Sequence, residues 1–218
     1  VFAQNPDPQL NTWGQEQGAN GVHYGAAYLF MAYFSQRFGS DMTRALVAHP
    51  ANGILGFDAV LEAAGLRHDG RPLGFEDVFA DWVIANYVDD PNALGVDGIY
   101  GYRAFSQDAP IVDASYTVYP AEPRTTTVNN YATDYILLKG SGDVTVHLDT
   151  QTETSLAALP ESGGVYSWWS NRGDDFDTRL TRRFDLSRAD PEARLEMRAT
   201  MWWDIESGYD YGYVLASR

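Results

Sequence analysis

The 218 residues carry 30 acidic side chains against 15 basic ones, a formal charge of −15, with 44% hydrophobic content and no cysteine. That length and apolar content support a sizeable core and exclude wholesale disorder, while the acidic balance offers no basic stripe to nucleic acid or to an anionic membrane. Disulfides and thiolate metal sites are excluded, and no apolar run reaches the roughly 18 residues of a membrane-spanning helix.

Residues 22–38 are apolar nearly all round and stop at Gly39, which predicts a buried helix with glycine after its C-terminus. Ser40 or Asp41 can cap a short helix running to Ala48, before Pro50 and the Asn52-Gly53 pair break the chain. A further helix is expected over 57–64, closed by Gly65. Phe75, Val78, Phe79, Trp82, Val83 and Tyr87 recur at helical spacing, with Glu76, Asp77 and Asp81 toward the N-terminal end, where the helix dipole favours negative charge. Residues 98–107 read as a linker. From about Ile111 the period changes from 3.6 to 2, as in Val144, Val146 and Leu148, and again in Leu195, Met197, Ala199, Met201 and Trp203. Strands are expected over 134–139, 144–148, 165–169, 178–185, 194–203 and 211–216, with a break at 160–164. The expected fold class is α+β: a helical subdomain over 1–105, a β-strand segment over 106–160, and antiparallel β-sandwich or jelly-roll material over 161–218. Too few strands follow Pro160 to close a sandwich, so the reading expects a truncated one or a partner chain covering the terminal sheet edge.

Two runs couple aromatics to carboxylates: Trp168-Trp169 with Asp174, Asp175 and Asp177, and Trp202-Trp203 with Asp204, Glu206 and Asp210. Six carboxylates at strand ends could supply the six to eight oxygens that calcium takes, although the spacing is not that of an EF-hand. The other reading is an acidic loop paired with Arg172, Arg179, Arg182 or Arg183. Alternation along a strand would put one tryptophan of each pair in the core and leave the other as a sugar platform or a contact for another domain. No Gly-x-Ser-x-Gly elbow, cysteine nucleophile or phosphate loop is present. His49 and His68 fall in turns, and His147 on the polar face of a strand.

The runs Trp168-Trp169-Ser170, Arg172-Gly173-Asp174, Leu180-Thr181-Arg182, Phe184-Asp185-Leu186-Ser187, Trp203-Asp204-Ile205-Glu206 and Tyr209-Asp210-Tyr211-Gly212-Tyr213-Val214 resemble the β-sandwich module of the immune inhibitor A group of secreted bacterial zinc metallopeptidases, which have the gluzincin fold. His23-Tyr24-Gly25-Ala26-Ala27-Tyr28-Leu29-Phe30, continuing to Arg37-Phe38-Gly39, resembles the helix that follows the metal site in such enzymes. The resemblance implies a secreted, extracellular bacterial endopeptidase acting on a peptide or protein substrate through a zinc-activated water. Asn20-Gly21-Val22-His23 resembles the segment that gives thermolysin-like enzymes an oxyanion-stabilising histidine, which implies that role for His23, with Tyr24 as a second donor. The competing reading is a histidine that caps or packs at a helix start. None of the four histidines belongs to a His-Glu-x-x-His motif. By the family pattern the zinc helix would precede Val1, so the expectation is the downstream part of an enzyme, inactive alone, with zinc ligands outside this chain. The alternative function is a non-catalytic, calcium-stabilised β-sandwich that binds carbohydrate or protein.

Overall fold

Ala26, Phe30, Tyr33 and Phe34 repeat at the spacing that brings one stripe of a helix onto a core, and all four are buried in α1, Gly21–Ala48. The structure is a computed structural model that describes residues 1–13, 18–96, 98–151, 166–170, 177–190, 192–205 and 208–216. α1 spans both helices expected from the sequence. Gly39, at φ 87°, breaks the helical dihedrals between them without ending the element, and the Thr43 hydroxyl donates to its carbonyl at 3.2 Å.

α2, Gly53–Ala63, begins directly after Asn52, four residues earlier than expected, and buries Val60 and Leu61. A two-residue antiparallel hairpin follows, β1 (Arg67–His68) with β2 (Arg71–Pro72). Its Asp69-Gly70 turn has positive φ at both residues, the backbone that suits a tight hairpin. α3, Phe75–Val88, buries Phe75, Val78, Trp82, Ala85 and Asn86, again one helical stripe. Asp58 of α2 accepts the Phe75 amide at 2.8 Å and Asp77 accepts the Gly74 amide at 3.0 Å, so two carboxylates satisfy donors at the start of α3.

The core is aromatic. Phe30 lies 5.4 Å from Phe57, Phe75 and Trp82, edge-on to Trp82 at 90°, and Phe2 closes the floor 5.5 Å from Trp82. Such pairs add about 0.5–1.5 kcal/mol each beyond area burial. Every buried hydrophobic residue among those described lies between Phe2 and Tyr102.

Residues 98–107, expected as a linker, are laid along α1 and α3. Tyr102 is buried, and Asp89, in the left-handed conformation that ends α3, accepts the Tyr102 amide at 3.1 Å, the Ser106 hydroxyl at 2.7 Å and the Gln107 amide at 3.1 Å. Gln36 of α1 donates to the Gly101 carbonyl at 3.0 Å and accepts the Arg103 amide at 2.6 Å.

The expected β-sandwich or jelly-roll is not what the described residues form. Their only strands besides the hairpin are β3 (Ala114–Tyr116) and β4 (Ile136–Leu138), which pair in parallel rather than antiparallel. β4 falls inside the strand expected over 134–139. The described residues of 144–148, 165–169, 178–185, 194–203 and 211–216 form no strand, so they supply no terminal sandwich edge of the kind expected. Alternation is a necessary mark of a half-buried strand, but a strand also needs a neighbour for its backbone and a surface for its apolar face. Leu195, Met197 and Met201 have neither and are exposed.

The chain divides into two compact units, Val1–Thr145 with Glu206–Arg218, and Val146–Ile205. The second is held, among its described residues, by local contacts: the Asp185 carboxylate accepts the Ser187 amide at 3.0 Å, the Asp190 carboxylate accepts the Glu192 amide at 2.9 Å, and Arg198 pairs with Glu196 at 2.6 Å. No helix among the described residues is long and apolar enough to cross a membrane.

Candidate functional site

His23 sits in the first turn of α1. Its Nδ1 atom is shut off from solvent yet has no hydrogen-bond partner among the described residues. A shielded polar atom left unpaired is costly, so an unpaired imidazole nitrogen at a helix start marks a place where a ligand could supply the missing bond. Tyr24, beside it, is 67% exposed and its ring lies 4.7 Å from Trp13, whose ring is also 6.0 Å from His23. One turn on, Tyr28 is equally open, with Phe105 at 6.3 Å. An imidazole, a phenol and an indole thus meet at one corner, each able to hydrogen-bond and the indole also a broad, flat, largely apolar surface.

The Phe105 ring beside Tyr28 rests on a fixed support. Phe105 stacks on Tyr102 at 4.6 Å. The Tyr102 hydroxyl accepts from Trp82 Nε1 at 3.0 Å and donates to Asn86 Oδ1 at 2.6 Å, and the same oxygen takes a second bond from Gln107 at 2.8 Å. Burial is the main reason the Tyr102 phenol is pushed well above its ordinary range, so it stays a neutral donor. Gly101 permits the close approach of 98–107, because a Cβ there would lie 2.5–2.6 Å from backbone atoms of Asp90 and Pro91. Below Tyr102, the Tyr33 hydroxyl donates to the Ile99 carbonyl at 2.9 Å and accepts from Arg37 at 2.9 Å.

Asp177 and Asp204 are exposed in one unit and Asp210 is exposed in the other. Asp174, Asp175 and Glu206 lie outside the described residues. Trp168, Trp169, Trp202 and Trp203 are 85%, 56%, 49% and 69% exposed, so neither pair divides into a core and a surface member. Without a strand there is no pleat to send alternate side chains to opposite faces. The His49 ring accepts the Ala51 amide at 3.2 Å at the end of α1, His68 sits 3.6 Å from Asp69 in the hairpin, and His147 is exposed in the second unit. No group of three or more His, Asp or Glu side chains among the described residues is placed to hold a metal ion, so these residues offer zinc no ligand set.

A second feature escaped the sequence reading: a cleft of about 250 Å³ lined by Asp7, Asp113, Asp134, Thr126 and Thr127. Asp113 is paired with Arg124 at 2.8 Å. Burial, followed by the neighbouring charges of Asp113 and Asp7, raises the Asp134 carboxyl above the usual range, and Arg124 offsets part of this. Nothing in the sequence signals the cluster, because its members are separated by more than a hundred residues and by about twenty.

Compared with models of protein families, with curated proteins and with solved structures, the chain has no significant match.

Proposed function

We propose that this chain is the downstream part of a secreted zinc-dependent endopeptidase of the immune inhibitor A kind, with the helical residues walling the substrate cleft and zinc held by residues outside these 218. The observation that carries the reading is the start of α1, where the shielded Nδ1 of His23, unpaired among the described residues, adjoins the exposed Tyr24 and the ring of Trp13. In such an enzyme the developing oxyanion needs a donor held in place before the reaction begins, and the shielded His23 imidazole in the first turn of α1 meets that need, with the exposed Tyr24 hydroxyl as a second donor brought in on substrate binding. Trp13 would exclude water from one side of them.

On this reading the 218 residues alone do not hydrolyse peptides, while the protein that includes the upstream zinc helix does. In that longer protein His23→Ala lowers kcat by about 10²–10³ with little change in KM, the loss expected when one oxyanion donor is removed. Tyr24→Phe gives a smaller loss. Unchanged kcat in both variants contradicts the assignment of donors, and peptidase activity of the isolated chain contradicts the division of labour.

A further inference from the structure

The start of the chain is tied to residues 111–133 by a set of main-chain bonds. The Ile111 amide donates to Ala3 at 2.8 Å, the Leu10 amide to Tyr131 at 3.1 Å, and the Thr133 amide to Pro6 at 3.4 Å. Asn129 grips Asp7 twice, its amide on the Asp7 carboxylate at 2.8 Å and its side chain on the Asp7 carbonyl at 2.7 Å. Asp7 comes from one side of this seam, and Asp113 and Asp134 from the other, all three lining the same cleft. The charged groups that act on Asp134 there are Asp7, Asp113 and Arg124, three carboxylates in all against one guanidinium.

We infer that this seam is a proton-sensitive clasp: acid tightens the hold of residues 111–133 on the N-terminal segment, and neutral pH loosens it. When all three aspartates are ionised, the cleft sets like charges across the seam with too few cations to balance them. Protonation of Asp134 removes one of those charges and the cost of keeping it in a partly desolvated place. The sign follows from the direction of the Asp134 shift. A carboxyl raised in the folded state contributes stability that is complete below the unfolded aspartate value, near 3.9, and is lost as pH rises through the folded value. Leu10 belongs to the clasp and lies three residues before Trp13, so the protonation of the cleft governs how firmly the approach to the His23 corner is held.

Hydrogen–deuterium exchange read by NMR, corrected for intrinsic rates, tests this at the amides of Leu10, Ile111, Asn129 and Thr133, with amides inside α3 as the internal reference. Relative to that reference, the clasp amides should be severalfold more protected at about pH 4.5 than at about pH 7.5. Asp134→Asn should narrow the difference by holding protection high at both values, and Arg124→Gln should widen it by lowering protection at neutral pH. Equal relative protection at the two pH values in the unaltered protein overturns the clasp, as does an undiminished difference in Asp134→Asn. If Asp134→Asn does not fold, Arg124→Gln decides alone, and a difference that fails to widen there overturns it.

Discussion

Arg37 and Asp81 join α1 to α3 through a 2.7 Å ion pair whose side chains are only 14% and 16% exposed. Arg37 also donates to the Tyr33 hydroxyl and lies over the Phe38 ring at 5.1 Å, so one guanidinium fixes the packing of two helices and the support for residues 98–107. Removal of one partner strands the other in a poorly solvated place. Arg37→Ala and Asp81→Ala should each cost about 2–3 kcal/mol in urea unfolding, as expected for a lost hydrogen bond to a charged group. A cost below about 0.5 kcal/mol would place the pair with ordinary surface salt bridges.

The chain of bonds from Trp82 through Tyr102 to Asn86 makes a second prediction. Tyr102→Phe keeps the ring against Phe105 but leaves the Trp82 N–H without an acceptor, at a cost of about 1–3 kcal/mol. Gly101→Ala should cost a similar amount for a different reason, because backbone atoms of Asp90 and Pro91 stand where the methyl would go. Both should weaken the near-ultraviolet circular dichroism of the aromatic core. A Gly101→Ala protein with unchanged stability would mean that residues 98–107 do not lie against α3 as described.

The pH dependence of stability separates two aspartates of opposite sign. Arg71 holds the Asp77 carboxylate by a double hydrogen bond, at 2.7 and 2.5 Å, and this is the main reason its carboxyl lies below the usual range. A depressed folded value contributes stability that is present above the unfolded value and lost as pH falls through the folded one. The melting temperature of Asp77→Asn should therefore fall below that of the unaltered protein at neutral pH and converge with it toward about pH 2. Asp134→Asn should behave in reverse, more stable than the unaltered protein at neutral pH and level with it in strong acid. Identical pH profiles for the two variants would contradict both assignments.

Calcium remains a proposal for Asp174, Asp175, Asp177 and Asp204, the acidic residues of that reading that fall within Val146–Ile205. An ion bound only by the folded state raises the melting temperature, by about 2.7 kcal/mol of added stability at a hundredfold excess over Kd. Addition of calcium to chelator-treated protein should raise the melting temperature and reduce exposure of Trp168 and Trp203 to a fluorescence quencher. An unchanged melting curve would remove calcium from the account.

How much of this was legible in the sequence depended on how local the signal was. α1 and α3 could be read because their buried positions, from Ala26 to Phe34 and from Phe75 to Ala85, repeat within a few residues, and because Gly39 is the residue type that takes the positive φ at which the helical dihedrals of α1 break. Residues 98–107 look like a linker because the partners that fix them, Gln36, Asn86 and Asp89, lie elsewhere in the chain and have ordinary identities. The period-2 runs after residue 140 misled for the converse reason. Alternation is local, whereas a sheet depends on a neighbouring strand that local sequence does not specify. At the proposed site, His23 and Tyr24 are neighbours in the sequence, whereas Trp13 comes beside them, and Phe105 beside Tyr28, only through tertiary packing.

The most direct test is the sequence of the reading frame upstream of Val1. The account predicts a His-Glu-x-x-His motif within about a hundred residues, on a helix that would complete the wall formed by α1. An upstream region without that motif would contradict the peptidase reading and leave His23 as a histidine packed at a helix start.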